Sequence, residues 1–153
     1  MSVLDIRKAG DPVLKKTARP VPKITKQIKI LLDNMAETMN EADGVGLAAP
    51  QVGVSLRVVV IDVGDGIIEL VNPEIIESEG CETAIEGCLS VPGMYGDVER
   101  FTCVTVKGMD RNGEPVTLRG DGLLARALQH EIDHLQGVLF IERAQSVYRE
   151  RKE

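Results

Sequence analysis

Two stretches of the chain carry the three-and-four spacing of apolar residues that is typical of amphipathic helices. The first begins after Thr25, a favourable N-cap, and is expected to end near Asp43. The second is expected to begin with Asp121 as its N-cap and to end at Gly137. The apolar positions of the first helix are Ile28, Leu31, Leu32, Met35 and Met39.

The region between these helices is rich in β-branched residues and is expected to form short strands. LRVVVIDV (56–63) predicts a buried strand. Residues 98–110 and 113–120 predict a hairpin that turns at Arg111-Asn112-Gly113. VLFIER (138–143) predicts one more strand after the second helix. Further short strands are expected at residues 67–73, 74–80 and 81–91.

Two segments are not expected to hold long regular elements. Residues 1–24 contain three prolines, so we expect an irregular segment with one helical turn at residues 12–16. GVGLAAPQVG (44–53) is too rich in glycine and alanine for a helix and is expected to be a loop.

The order of these elements favours the α+β class, because the strands cluster between two helices without regular alternation. We expect short, mostly antiparallel strands packed around the central helix at residues 121–137, with a second long helix near the N-terminus. A length of 153 residues corresponds to one domain, residues 1–153.

Composition excludes several classes of function. The net charge of −6 argues against nucleic acid as a partner, because phosphate binding requires a basic patch. No apolar run is long enough to cross a membrane, and MSVLDIRKAGDP does not resemble a secretory signal. An odd set of three cysteines indicates free thiols and a cytoplasmic, reducing location. The default expectation for the oligomeric state is a monomer.

Both histidines of the chain lie in QHEIDH (129–134) on the second predicted helix. Positions i and i+4 share one helix face, so His130 and His134 can bind one metal ion, with Glu131 beside them as a general base. This is the HExxH pattern of zinc-type hydrolases. The alternative is a chance match on a buried helix whose histidines are satisfied by hydrogen bonds.

A catalytic metal needs a third protein ligand, which must come from elsewhere in the chain. Cys103 lies in the middle of a predicted strand and is more simply a core residue. Cys81 has acidic neighbours that oppose thiolate formation. Cys88 lies between a glycine and a Ser-Val-Pro bend, so it is favoured over Cys81, although the spacing alone leaves both open.

Three segments together resemble the signature motifs of the peptide deformylase family, in its compact bacterial type: residues 44–53, EGCLSVPG (86–93) and QHEIDHLQG (129–137). The resemblance spans nearly the whole chain. It implies a compact α+β enzyme that removes the formyl group from the N-terminal formylmethionine of newly synthesised proteins. Its partners would be N-formylmethionyl nascent peptides.

The resemblance also implies roles for individual residues. Cys88, His130 and His134 match the metal ligands, and Glu131 matches the general base. A metal-activated hydroxide would attack the formyl carbon, and Glu131 would return the proton to the leaving amine. The amide of Gln51 and the backbone N–H of Leu89 would stabilise the oxyanion.

The metal cannot be chosen from its ligands, because Cys/His/His suits several ions. The resemblance implies Fe²⁺ in the cell, with Zn²⁺, Ni²⁺ or Co²⁺ able to replace it.

Residues for substrate binding are also implied. Val45 and Gly46 are expected to lie along an extended peptide, where a glycine avoids a side-chain collision. Leu123 and Ala127 are expected to line an apolar pocket for the methionine side chain. A buried ion pair between Glu86 and Arg100 is expected to shape that pocket, since both charges lie in half-buried, strand-like runs.

Other functions stay open on the sequence alone. A general HExxH metallopeptidase would cut internal peptide bonds, and a structural metal module would hold its ion with four protein ligands. The sequence ends at SVYRERKE, so we expect a solvated end and not the long basic helix that some family members use on the ribosome. Transient proximity to the ribosome is still expected, because nascent chains are the implied substrate.

Overall fold

Residues 2–149 of the computed structural model are described here. They contain three α-helices, two 3-10 turns and eight strands, which we number in chain order. The helices are α1 (Lys26–Glu41), α2 (Gly122–Leu135) and α3 (Phe140–Arg143), and the 3-10 turns are Pro12–Lys15 and Ala49–Val52. The strands are β1 (Gly46–Ala48), β2 (Val58–Ile61), β3 (Ile68–Glu79), β4 (Glu82–Cys88), β5 (Val91–Arg100), β6 (Cys103–Met109), β7 (Pro115–Asp121) and β8 (Ser146–Arg149).

The strands form two sheets in which every ladder is antiparallel. The larger sheet has the order β1-β2-β3-β6-β7, and the smaller has the order β4-β5-β8. The chain passes from the larger sheet to the smaller one at Gly80-Cys81 and returns at Phe101-Thr102. The predicted α+β class, with antiparallel strands around the helix that carries HExxH, is confirmed.

The larger sheet is covered on both faces by helices. In β2, Val58 and Val60 share a core with α1, whereas Val59 and Ile61 share a core with α2. Alternate residues of a strand point to opposite faces, so this strand is apolar at every position. A third core, under the smaller sheet, joins Leu14, Val91, Val98, Leu139 and Phe140.

Both long helices begin and end close to the residues that the sequence predicts. The Thr25 hydroxyl accepts a hydrogen bond from the backbone N–H of Ile28 at 3.3 Å and caps α1. Asp121 precedes α2, but its side chain makes no capping hydrogen bond. After α2, Gly137 takes a positive φ of 76°, and a Cβ there would lie 2.5 Å from the carbonyl oxygen of Lys15. A glycine is therefore required after the end of α2, because of the positive φ and because there is no room for a Cβ.

The prediction of a strand at residues 138–143 is wrong. It forms the short helix α3, because the Glu142 carboxylate accepts a hydrogen bond from the Leu139 backbone N–H at 3.0 Å and caps it. Leu139 and Phe140 are buried in the third core. A short apolar run is compatible with a strand or a helix turn, so the pattern alone could not decide.

Other boundaries also differ from the sequence prediction. The predicted loop at residues 44–53 contains β1 and a 3-10 turn. Residues 68–79 form one bulged strand where two were expected, and residues 98–110 are divided between two sheets. The strand β8 was not predicted, and the end beyond residue 149, predicted to be solvated, lies outside the described residues. No helix among residues 2–149 is long and apolar enough to cross a membrane.

Candidate active site

The helix α2 presents His130, Glu131 and His134 inside the molecule. Their side chains are buried, with 9%, 4% and 1% of their surfaces exposed. The two imidazole rings have their centroids 5.0 Å apart, as expected for positions i and i+4 on one helix face. The sequence therefore places the HExxH pattern on a buried helix with both histidines side by side.

The third potential metal ligand comes from the smaller sheet, and we call the ligating atoms of Cys88, His130 and His134 the donor cluster. Cys88 ends β4, and its Sγ lies 3.3 Å from Nε2 of His134. The donor atoms of Cys88, His130 and His134 all lie within 4.8 Å of one another. Cys81 is exposed at the start of β4, and Cys103 is buried in β6. The structure thus brings Cys88, and neither of the other cysteines, to the histidines.

This donor set fits a transition-metal ion. One thiolate and two imidazoles are ligands that zinc, iron and related ions accept. Burial, aided by the nearby charges of His130 and Arg100, holds the pKa of His134 well below its usual value and favours the neutral ring that binds metals. Two buried atoms beside the donors, Oε1 of Glu131 and Nδ1 of His134, have no hydrogen-bond partner among the described residues.

Glu86 holds His130 from behind. Its carboxylate lies 2.9 Å from Nδ1 of His130, so Nε2 is the ring nitrogen left to face the donor cluster. A carboxylate behind a ligating imidazole fixes the ring and raises its basicity. Burial opposes ionisation of His130, but hydrogen bonds with Cys88 and Glu86 raise its pKa to about 10. The same negative surroundings favour a bound cation.

The predicted ion pair between Glu86 and Arg100 is confirmed. Nε and Nη2 of Arg100 donate to the two carboxylate oxygens at 2.8 and 2.9 Å, and both residues are buried. Arg126 of α2 adds a hydrogen bond at 2.6 Å. Burial alone would raise the pKa of Glu86, but Arg100 and His130 reverse this and hold it far below its usual value.

The charge network continues to the surface. Nη1 of Arg100 donates to Oδ2 of Asp133 at 2.5 Å. Arg143 of α3 donates to the two oxygens of the same carboxylate at 2.6 and 2.9 Å. Each charge of this network therefore has an opposite partner, as burial requires.

Gln51 lies at the boundary between the two sheets. Its Oε1 accepts a hydrogen bond from the Ala48 backbone N–H at 2.9 Å. Its Nε2 donates to the hydroxyl of Ser90 at 3.1 Å and lies 3.5 Å from Sγ of Cys88. Leu89, next to Cys88, lines a pocket together with Gln51 and Cys88. The side-chain amide of Gln51 is thus held at both ends beside the donor cluster.

Gly46 lies directly against the Glu131 carboxylate. A Cβ at this position would lie 2.5 Å from Oε2 of Glu131, so the missing side chain makes room for that carboxylate. The predicted reason for a glycine here, room for a bound peptide, stays a prediction. Burial in this position raises the pKa of Glu131 to about 7.

A pocket of about 430 Å³ opens onto these groups. The four predicted substrate residues, Val45, Gly46, Leu123 and Ala127, all line it. Val45 and Leu123 lie at its rim, with 45% and 54% of their surfaces exposed. Other lining residues, which come from β4, β5 and α2, were not predicted. They include Ile85, Met94, Tyr95 and Arg126.

These residues gave little signal in the sequence. The one available sign in the sequence was an isoleucine directly before the second motif. In the structure Ile85 is exposed and its neighbour in β4, Glu86, is buried. Ser90 was also missed, because a serine after a cysteine has many ordinary explanations. Its role as a partner of Gln51 depends on two segments that are 39 residues apart in the chain.

We predict that Glu86→Gln weakens metal binding about 10- to 100-fold, because an outer partner of a ligating histidine is lost. The change also leaves two buried arginines with less opposite charge, and we expect a loss of roughly 3–5 kcal/mol in the free energy of unfolding. Chelator competition and urea unfolding measure the two effects. Glu82→Gln, an exposed change on the same strand, is the matched control. Equal metal affinity in both variants would contradict the prediction.

Several known proteins share sequence and fold with this chain. The family model described as polypeptide deformylase matches residues 3–150. A peptide deformylase of Halothermothrix orenii is 61% identical over 145 residues, which are 94% of each chain, and that of Carboxydothermus hydrogenoformans is 58% identical over 97% of this chain and 98% of its own. The crystal structure of peptide deformylase from Thermotoga maritima superposes with a TM-score of 0.92 at 48% identity, covering 94% of this chain and 99% of its own. The chain belongs to the polypeptide deformylase family.

Proposed function

We propose that residues 1–153 act as one catalytic domain that removes the formyl group from N-formylmethionyl peptides by metal-dependent hydrolysis. One observation carries the proposal. Cys88, His130, the Glu131 carboxylate and the Gln51 amide line one pocket, and the ligating atom of His134 lies within 4.8 Å of those of Cys88 and His130, in a chain that belongs to the polypeptide deformylase family. Newly synthesised proteins that begin with formylmethionine are the substrates we propose.

Cys88, His130 and His134 would hold the metal ion. When bound, it lowers the pKa of a water ligand and polarises the formyl carbonyl. The remaining steps depend on groups of the chain itself. They must bind the peptide, move a proton and stabilise the charge that develops on the carbonyl oxygen.

Glu131 is the group we propose for proton transfer. It accepts a proton from the attacking water and then donates one to the amine that leaves the formyl carbon. Its position supports this role, because Oε1 has no protein partner among residues 2–149 and the carboxylate lies against Gly46 at the pocket. A carboxylate that is held by packing and not by hydrogen bonds stays free to exchange protons.

Gln51 and Leu89 are the proposed oxyanion donors. Nε2 of Gln51 lies close to the Cys88 thiol, and Leu89 follows that residue directly in the chain. Because Oε1 of Gln51 already accepts from Ala48, the amide is oriented with its N–H groups toward the site. Each pre-oriented donor of this kind contributes roughly 10²–10³ in rate.

We propose that the pocket binds an extended peptide with an apolar side chain. Val45 and Gly46 border one side, and Leu123 and Ala127 of α2 border another. Ile85 adds an exposed apolar surface from β4. We propose that these residues receive the methionine side chain and the adjacent backbone.

The two competing functions have less support. A structural metal module would surround its ion with four protein ligands, whereas three donors meet here beside an open pocket and a buried carboxylate. A general peptidase would need room for a chain on both sides of the scissile bond. The presence of Gln51 and Cys88 beside the HExxH pair supports deformylation instead.

Location and assembly are also proposals. The free cysteines support a reducing cytoplasm, and we propose a monomer as the oligomeric state. Proximity to the ribosome would be transient, through the nascent substrate. Sedimentation velocity of the metal-loaded protein would contradict the monomer if it showed a stable dimer.

The function is tested by substrate discrimination. We expect the metal-loaded protein to release formate from a formyl-Met-Ala-Ser peptide. We expect no cleavage of the same peptide without the formyl group. Formate release and mass spectrometry of the products measure both reactions. Cleavage of internal peptide bonds at a comparable rate would instead favour the general peptidase.

The metal is tested separately. We propose Fe²⁺ in the cell, with Zn²⁺, Ni²⁺ or Co²⁺ able to replace it, because the Cys/His/His set accepts all four. Elemental analysis of protein prepared without oxygen, paired with activity, identifies the ion. Protein that is prepared without oxygen and contains stoichiometric zinc and no iron would contradict the choice of Fe²⁺ in the cell.

The proton-transfer role is tested by Glu131→Gln. We expect this variant to fold and to bind metal, but to lose at least about 10²-fold in kcat, within the 10²–10⁴ range of general acid–base catalysis. Circular dichroism and metal content check the fold and the ligand set. Glu41→Gln, an exposed change at the end of α1, is the control and should keep full activity. Near-wild-type turnover of Glu131→Gln would refute the role.

A further inference from the structure

The N-terminal segment at residues 7–9 is bonded to both loops that border the proposed oxyanion site. The backbone N–H of Arg7 donates to the carbonyl of Gln51 at 2.7 Å. The backbone N–H of Ala9 donates to the carbonyl of Ser90 at 2.8 Å. The segment therefore spans from a residue of the first motif to a residue of the second.

These two motifs lie on different sheets. Gln51 follows β1 of the larger sheet, and Ser90 lies between β4 and β5 of the smaller one. Across this boundary, the Gln51 amide donates to the Ser90 hydroxyl at 3.1 Å. A small shift of one sheet against the other would move the amide away from the metal donors. The N-terminal segment bonds both sides of that contact.

The segment is itself well anchored. Asp11 accepts hydrogen bonds from the Arg7 guanidinium at 3.1 Å and from the Val13 backbone N–H at 3.1 Å. Leu14, just beyond, is buried in the third core. The Arg7 guanidinium also lies against the turn at Gly53, where a Cβ would be 2.8 Å from Nη2. A segment that is held in this way can keep the groups to which it is hydrogen-bonded, Gln51 and Ser90, in place.

We propose that Ala9 is a positioning residue for the reaction. Its backbone N–H fixes Ser90, and the Ser90 hydroxyl in turn fixes the amide of Gln51. This inference rests on the proposed role of Gln51 as an oxyanion donor. Arg7 supports the same amide from the other side, through the Gln51 carbonyl. The side chains of Arg7 and Ala9 are exposed, so the backbone N–H groups carry the effect.

The local backbone allows a clean test of the Ala9 bond. Asp11 donates its backbone N–H to the carbonyl of Lys8 at 3.0 Å, and Gly10 has a φ of 104°. Ala9 is thus the second residue of a turn with a positive φ at the third, the geometry that favours proline at the second position. Ala9→Pro removes the N–H while keeping the turn. Ala9→Ser keeps the N–H and is the matched control.

We expect Ala9→Pro to lower kcat for a formyl-Met peptide about tenfold, less than the 10²–10³ for complete loss of an oxyanion donor. KM should change by less than about twofold, because the pocket residues are untouched and only the transition state loses an interaction. Metal content and thermal unfolding should stay close to those of Ala9→Ser, which should match the wild type in kcat.

A double-mutant cycle with Gln51→Ala separates positioning from general loosening. Without the Gln51 side chain, Ala9→Pro should lower kcat by at most about threefold, because the positioned group is gone. The same factor in both backgrounds would overturn the inference. So would an unchanged kcat in Ala9→Pro, or its failure to fold, which would make the bond a general stability element. If Gln51→Ala alone kept full activity, the proposed role of Gln51 would fail instead.

Discussion

The Glu86 carboxylate joins the smaller sheet to α2 through Arg126 and His130, and it pairs with Arg100 of its own sheet. A buried carboxylate is stable only with such partners, and each buried arginine needs it in return. Because these bonds have fixed directions, they set where β4 lies against α2. Cys88 stands two residues after Glu86, so the same network sets the distance from the thiol to the histidines. The donor cluster is therefore a consequence of how one buried charge is satisfied.

The two-sheet architecture explains why the site needs several devices of this kind. The larger sheet carries Gly46 and leads to Gln51, the smaller one carries Cys88, and α2 carries the histidines and Glu131 between them. Two short polar contacts cross these boundaries, Glu86 with His130 and the Gln51 amide with Ser90, and Glu131 packs against Gly46. The apolar cores hold the layers together through the hydrophobic effect, which has no preferred geometry. The polar contacts have preferred distances and angles, so they fix how the layers lie against one another. The N-terminal segment adds a further contact of the same type.

Much of the site could be predicted from short motifs, and the reasons are local. The spacing of His130 and His134 places both rings on one helix face wherever that helix lies. The boundaries of α1 and α2 followed from Thr25 and Gly137, whose effects act on their own turns. The segment 138–143 was predicted wrongly because its short apolar run fits a strand or a helix, and burial of Phe140 under the smaller sheet decided the outcome. The division of residues 98–110 between two sheets likewise left no mark in an unbroken strand pattern.

The sequence by itself determined the class of fold, the two long helices and the metal-binding pair of histidines with its adjacent carboxylate. Together with the three motifs, it also pointed to the deformylase family. The motifs also implied Cys88 as the third ligand, but only the tertiary structure showed that Cys88 meets the histidines and Cys81 does not, that Glu86 bonds to His130, and that Gly46 makes room for Glu131. The physical reason is the range of the interactions. Propensity, capping and periodicity act within a few residues, whereas these contacts join residues 42 to 85 positions apart and depend on how the two sheets and α2 pack together.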